Sequence, residues 1–180
     1  MNPTDLETQL EGLHDQGYGW ALACCRWDES EAEDVLQTAY VKVLSGRARF
    51  GGHSTFKTWF FGVIRRSAQE HRRRARSREK GLARLARARS EPPVSRPRAG
   101  ELERAGDASR LVAALERLSR RQREVIHLVF YQDLSIAEAG LVMEVSLGSA
   151  RTHYERAKSR LRALLREESP EEVQEGSSNA

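Results

Sequence analysis

The densest chemistry in this sequence is cationic and aromatic. Residues 65–89 hold eleven basic and two acidic side chains, net +9, and Arg65, Arg66, Arg72, Arg73, Arg74, Arg76 and Arg78 crowd its first half. Like charges one helical turn apart repel, so the tract calls for an anion, and a phosphate backbone that sheds counterions on contact supplies one. A solubilising or targeting tract is the plainer alternative. Position favours the polyanion, because the run follows directly on Phe56, Trp59, Phe60 and Phe61. Aromatic faces beside backbone-binding charge are the ingredients of single-strand binding. An aromatic stripe at helical spacing is also ordinary core. Trp59 and Val63 are therefore assigned mainly to core, and Phe56 with the loop before it to base contact.

A second cationic region lies near the C-terminus, where residues 107–166 hold eleven basic and seven acidic side chains. Ser135-Ile136-Ala137-Glu138 has the form of a capping box opening a short helix. Glu144-Val145-Ser146 makes a tight connection, and a helix of ~30 Å follows over Leu147–Arg166. That is the layout of a helix-turn-helix. With Ala150, Tyr154, Ala157, Leu161 and Leu164 turned inward, Ser149, Arg151, Thr152, Glu155 and Arg156 point outward near the helix start. Recognition helices place such residues against major-groove base edges. Arg bridges guanine O6 and N7, Thr meets a thymine methyl and Glu accepts from cytosine N4. Lys158 and Arg160 are better placed for phosphates. An ordinary helical bundle with a solvated charged face fits the same pattern.

Glu31, Glu33 and Asp34, with Gln37 a turn later, form an acidic helix face. It is either solvated surface or a docking face for a basic protein. No nucleophile–base pair, glycine-rich phosphate loop or metal-ligand spacing occurs, so no catalytic residue, metal, cofactor or small-molecule substrate is expected. His127 reads as a buried or boundary histidine. Cys24 and Cys25 are adjacent, which is neither a disulfide framework nor a zinc spacing. They read as helix packing residues, redox-active only if exposed.

These groups must be positioned by helices. A segment over roughly Thr4–Arg26 carries Leu6, Leu10, Leu13, Ala21 and Cys24, with a bend expected at Gly17 and Gly19. Ser30-Glu31-Ala32-Glu33 predicts the cap of the next helix, whose stripe is Val35, Leu36, Ala39, Tyr40, Val43 and Leu44 and which ends near Gly46. Phe50 to Ser54 is a loop, and Ser54 or Thr55 caps the third helix. Pro92, Pro93 and Pro97 interrupt any helix between the two modules. Leu111, Leu115 and Leu118 open the second module, and Ser119 to Gln122 is another capping box. The expectation is an all-α chain: a module over 1–79, a flexible linker over 80–106 whose start can continue the helix as far as Arg89, a helix-turn-helix module over 107–166, and an acidic disordered tail over 167–180. Two small helical cores suit 180 residues of which 39% are hydrophobic. Nothing approaches the ~18 apolar residues of a membrane span, and Met1 to Glu11 lacks a signal peptide's bases and apolar stretch. A cytoplasmic location is expected.

Three ordered motifs together resemble a known family. Glu31-Ala32-Glu33-Asp34-Val35-Leu36-Gln37 resembles the core-binding helix of bacterial RNA polymerase sigma factors. Phe50-Gly51-Gly52-His53-Ser54-Thr55-Phe56-Lys57-Thr58-Trp59-Phe60 resembles the promoter-melting segment that follows it. Leu118 to Leu165 resembles the family's C-terminal helix-turn-helix. Two modules on a short chain look like the extracytoplasmic-function (ECF) group. The resemblance implies core RNA polymerase and promoter DNA as partners, and commonly an anti-sigma factor, often membrane-anchored. By position, Glu33, Asp34, Gln37 and Tyr40 would dock on the polymerase. His53, Ser54, Thr55 and Phe56 would hold a flipped base of the start-proximal element, with Lys57, Trp59, Arg65 and Arg66 supporting the separated strand. Ser149, Arg151, Thr152, Glu155 and Arg156 would read the upstream element as duplex.

Departures from the family pattern bear on promoter sequence. Arg66 stands where an Asn is usual, Ala139-Gly140 where Ile-Ala is usual, Ala150 for Val, and His153 for a basic residue. Gly140 costs a helix about 1 kcal/mol against Ala, and loosened packing is expected there. The rival reading is a free-standing helix-turn-helix regulator, which needs a ligand pocket or a self-complementary apolar face in its N-terminal module.

Overall fold

The structure, a computed structural model, describes residues 3–87 and 106–167, and every regular element among them is helical. Two compact units are present. The N-terminal unit is built on α1 Pro3–Gly12, α2 His14–Cys24, α3 Glu29–Leu44 and α4 Phe56–Arg87. The C-terminal unit is built on α5 Gly106–Glu116, α6 Arg120–Ile126, a π-helical turn His127–Tyr131, α7 Ile136–Met143 and α8 Leu147–Glu167. Helix α4 continues through Arg87, so the first residues of the expected linker are helical. The remainder of that linker and nearly all of the acidic tail lie outside the described residues.

The N-terminal core is aromatic. Trp20, Phe60, Phe61 and Ile64 are fully buried among Val35, Leu36 and Ala39, and the Trp20 indole Nε1 donates to the Phe61 carbonyl at 3.0 Å. The bend expected at Gly17 and Gly19 falls instead at Leu13, and both glycines lie inside α2. Close packing explains why. A Cβ on Gly17 would stand 3.3 Å from Phe60 Cε1 and 3.4 Å from Ile64 Cδ1 and Leu36 Cδ1, so the missing side chain lets α2 settle onto α3 and α4. The cap expected at Ser30 is two residues earlier: Asp28 accepts from Glu31 N at 2.9 Å. A carboxylate there also meets the positive end of the helix dipole. Helix α3 ends at Leu44 and Gly46 takes φ +71°, as the glycine signal predicts. Thr55, one of the two expected caps, receives Thr58 N at 3.1 Å.

In the C-terminal unit the capping boxes form as expected. Ser119 Oγ receives Gln122 N and the Gln122 side chain returns to Ser119 N. Ser135 and Glu138 pair in the same way at 3.2 and 2.9 Å. Ser146 Oγ caps α8 through Ser149 N at 3.2 Å. Gly140 does not loosen the packing. Its Cβ would stand 3.3 Å from the Val145 carbonyl oxygen and 3.5 Å from Ala150 Cβ. Small residues at 139, 140 and 150, all buried, hold the turn tight against α8.

Candidate nucleic-acid interface

The outward row of α3 carries Asp34, Gln37, Val41 and Leu44 at 3-4-3 spacing, all exposed, with Glu33 exposed beside them. Val41 and Leu44 are 57% and 55% exposed. Leu44 was expected in the buried stripe, and Val41 carried no expectation. A 3-4-3 step onward from Asp34 is the signal that finds both. Tyr40 is half-buried: its ring stacks on Phe60 at 5.6 Å and on His14 at 6.2 Å, and its hydroxyl lies 3.0 Å from His14 Nδ1. Burial first, and the nearby Asp15 charge second, push the Tyr40 hydroxyl pKa up, so it stays protonated.

The loop before α4 presents His53 and Thr55 to solvent, with Ser54 half-buried. Phe56 is half-buried. It packs edge-on to Phe50 at 5.6 Å and 5.2 Å from Trp59, and Trp59 itself is half-buried. This aromatic shelf joins α4's first turn, which carries Phe56 and Trp59, to Phe50 in the preceding loop. Lys57 lies over the Phe61 ring at 5.7 Å.

The arginine run divides in two. Arg65 is buried, and the Gln69 amide oxygen, turned toward it, accepts from its guanidinium at 2.8 and 3.1 Å. Arg72 turns inward to the Cys24 carbonyl at 2.5 Å. Arg66, Arg73, Arg74, Arg76 and Arg78 are exposed. Sequence density alone does not separate these sets; the 3.6-residue turn against α2 does. Arg65 therefore cannot support a strand through its own phosphate contact in this conformation. Cys24 and Cys25 are both buried and free. Burial, helped by Glu31, pushes the Cys25 thiol to about 12, which leaves it a packing residue without thiolate chemistry.

A pocket of about 290 Å³ opens between the end of α3 and α4. It is lined by the apolar Ala48, Trp59 and Val63, by the cationic Lys42, Arg47, Arg49 and Arg66, and by one carboxylate, Glu70. Of the residues expected to hold the strand, it brings Trp59 and Arg66 together and leaves out His53, Ser54, Thr55, Phe56 and Lys57.

On α8, Ser149, Arg151, Thr152, Glu155 and Arg156 are all exposed, while Ala150, Ala157 and Leu164 are buried and Tyr154 and Leu161 half-buried. The Thr152 hydroxyl donates to the Gly148 carbonyl at 3.0 Å. Glu155 pairs with Lys158 at 2.9 Å, and Lys158 also lies over the Tyr154 ring at 4.5 Å. Among the described residues no group of His, Cys, Asp and Glu could hold a metal ion. None of their helices is long and apolar enough to cross a membrane.

A helical unit with an aromatic shelf and a cationic helix, followed by a helix-turn-helix, defines a two-module DNA-binding protein. Residues 13–78 match the sigma-70 region 2 family and residues 108–161 match sigma-70, region 4. The ECF RNA polymerase sigma factor SigX of Bacillus subtilis is 31% identical over 146 residues, 78% of this chain and 75% of that protein. SigC of Mycobacterium tuberculosis, also an ECF RNA polymerase sigma factor, is 26% identical over 86% of this chain and 79% of its own. The sigma factor RpoE of Bartonella quintana, solved in complex with the anti-sigma factor NepR, superposes with a TM-score of 0.67 at 23% identity, covering 90% of this chain and 97% of that one. The chain belongs to the ECF sigma factors of the sigma-70 family. It is a transcription initiation factor that binds core RNA polymerase and directs it to promoters, and the free-standing regulator is not favoured.

Proposed function

We propose a division of that work among three surfaces. The α3 row of Glu33, Asp34 and Gln37, extended by Val41 and Leu44 and edged by Tyr40, docks on the polymerase. The loop His53 to Phe56 with Lys57, Trp59 and Arg66 holds the separated strand of the start-proximal element, and Arg65 braces α4 from inside. Ser149, Arg151, Thr152, Glu155 and Arg156 read the upstream element as duplex, with Lys158 and Arg160 near phosphates. Residues 1–79 and 107–166 are the working units, and the protein acts in the cytoplasm with the polymerase. An anti-sigma factor restrains it. Support comes from a solved relative, RpoE, that carries the anti-sigma factor NepR; a second, CnrH, is likewise solved with a partner, the cytosolic domain of CnrY.

The observation that carries the docking assignment is a row of acidic, amide and apolar side chains left exposed on one stripe of α3. Exposed valine and leucine beside carboxylates suit a partner with basic rims and an apolar centre. Co-purification with bacterial core RNA polymerase at moderate salt tests it. Wild type should bind stoichiometrically and Asp34→Ala/Gln37→Ala should bind weakly, with upstream-element binding by α8 retained. Undiminished co-purification of the double variant would remove α3 from the interface.

A further inference from the structure

The cationic far end of α4 belongs to none of the three surfaces assigned above. Arg73, Arg74, Arg76 and Arg78 are all exposed, and of these only Arg74 pairs with a carboxylate among the described residues, Glu70 at 3.7 Å. Like charges at this density destabilise a helix, so the segment gains from any anion placed among them. One hydroxyl stands there. Ser77 is exposed, with Arg73 and Arg74 four and three residues before it on the same helix face and Arg76 and Arg78 on either side. In the sequence Ser67, Ser77 and Ser90 look alike, since each follows an arginine directly. The fold separates the first two. Ser67 is buried and its Oγ receives Lys42 Nζ at 3.0 Å, whereas Ser77 faces solvent; Ser90 lies outside the described residues. From Arg73 to Glu79 only Ala75 is even half-buried. That stretch has little packing to lose and opens locally at low cost, as an enzyme that reads an extended segment requires.

We infer that Ser77 is a phosphorylation site, and that a phosphate there discharges the end of α4 and weakens its hold on DNA. The partner is a serine/threonine kinase with an acidic substrate groove. Carboxylates in such a groove pair bidentately with Arg73 and Arg74 and set the register that brings Ser77 to the transferred phosphate. In the step itself Ser77 Oγ attacks the γ-phosphorus of a nucleoside triphosphate and its proton passes to a carboxylate of the kinase. The bond from that phosphorus to the β–γ bridging oxygen breaks, and the nucleoside diphosphate leaves with the electron pair. The product carries a charge of about −1.5 to −2 at pH 7 and three acceptor oxygens. Arg73 and Arg74, one turn back on its own face, are placed to pair with it. Two cations occupied in this way no longer displace counterions from a nucleic acid.

The effect on DNA rests on the proposed DNA-facing role of this unit, and the test lets site and role fail separately. The full chain is incubated with labelled ATP and the catalytic domain of a kinase selective for arginine three and four residues before its serine. Label should enter at Ser77, located by mass spectrometry of the peptides, and vanish in Ser77→Ala. Label confined to Ser90 or other serines, or no label, would overturn the site. Full chain carrying phosphoserine at position 77 is then assembled with bacterial core RNA polymerase, and its affinity for bubble DNA is measured against salt. With two fewer cations engaged, the slope of log affinity against log salt should be shallower by about 1.4–1.8, and affinity near about 0.1 M salt lower by on the order of tenfold or more. Ser77→Asp, with a single charge, should change the slope roughly half as much, and Ser77→Ala not at all. A folding defect lowers retention at every salt alike and leaves the slope, so it does not mimic the effect. A phosphorylated chain with the wild-type slope would overturn the switch. An unchanged slope in Arg73→Ala/Arg74→Ala would instead show that this end of α4 does not meet DNA, which removes that role and the switch while leaving the site.

Discussion

The two DNA-facing regions are built on opposite plans. In the N-terminal unit the chemistry is sunk into the fold: Phe56 and Trp59 are half-buried, Arg65 is buried, and Glu70 and Lys42 line one pocket. On α8 every side chain of the expected reading face is exposed, and the buried residues at 139, 140, 150 and 157 are small. The difference follows from what each must meet. Base edges in a major groove are already presented outward, so a regular helix with projecting side chains suffices. An unpaired base must be enclosed on a face and an edge, which takes concavity and therefore side chains held by packing.

Removing the largest packed aromatic should break the enclosed plan hardest. Trp20→Ala deletes a fully buried indole and its hydrogen bond to Phe61, and is expected to cost the N-terminal unit about 3–5 kcal/mol. Tryptophans 20, 27 and 59 all lie in that unit, so indole fluorescence during denaturant unfolding reports it selectively. A loss under 1 kcal/mol would mean the aromatic core is loosely packed.

Acid should distinguish the C-terminal unit. His127 is buried at the start of the π-helical turn, and burial pushes its pKa down to about 4 from 6.5. In that window the unfolded chain binds the proton more readily, so stability is full above pH 6.5 and falls as pH drops toward 4, by at most about 3 kcal/mol. Helicity followed by circular dichroism against pH, compared with His127→Leu, measures the effect. An acid limb unchanged in the variant would assign it to other groups.

The smallest effect belongs to the exposed plan. Arg156→Ala should weaken upstream-element binding by about 1–3 kcal/mol and relax specificity there, while folding stability stays within about 0.5 kcal/mol of wild type. Equal weakening on every sequence would make Arg156 a phosphate contact.

Much of this architecture was legible before any coordinates. Capping residues at Ser119, Ser135 and Ser146, the 4-3-4-3 edge of α8 and the glycine after α3 are local signals, and local hydrogen bonds and φ preferences decided those boundaries. The outward set on α8 was legible for the same reason, since periodicity alone assigns faces on a regular helix. Other features depend on what a residue packs against. Gly17 and Gly140 look like helix breakers in isolation, yet each marks the place where another segment comes within contact distance. The arginine tract reads as uniformly basic, and only the position of α2 turns Arg72 inward, as burial does Arg65. Glu70, one acid in a cationic run, carried no signal until Lys42, 28 residues away, was placed beside it. Sequence determined which segments are helical and which helix carries which charge. Tertiary structure decided which of those charges reach a partner, because burial depends on contacts between residues far apart in the chain.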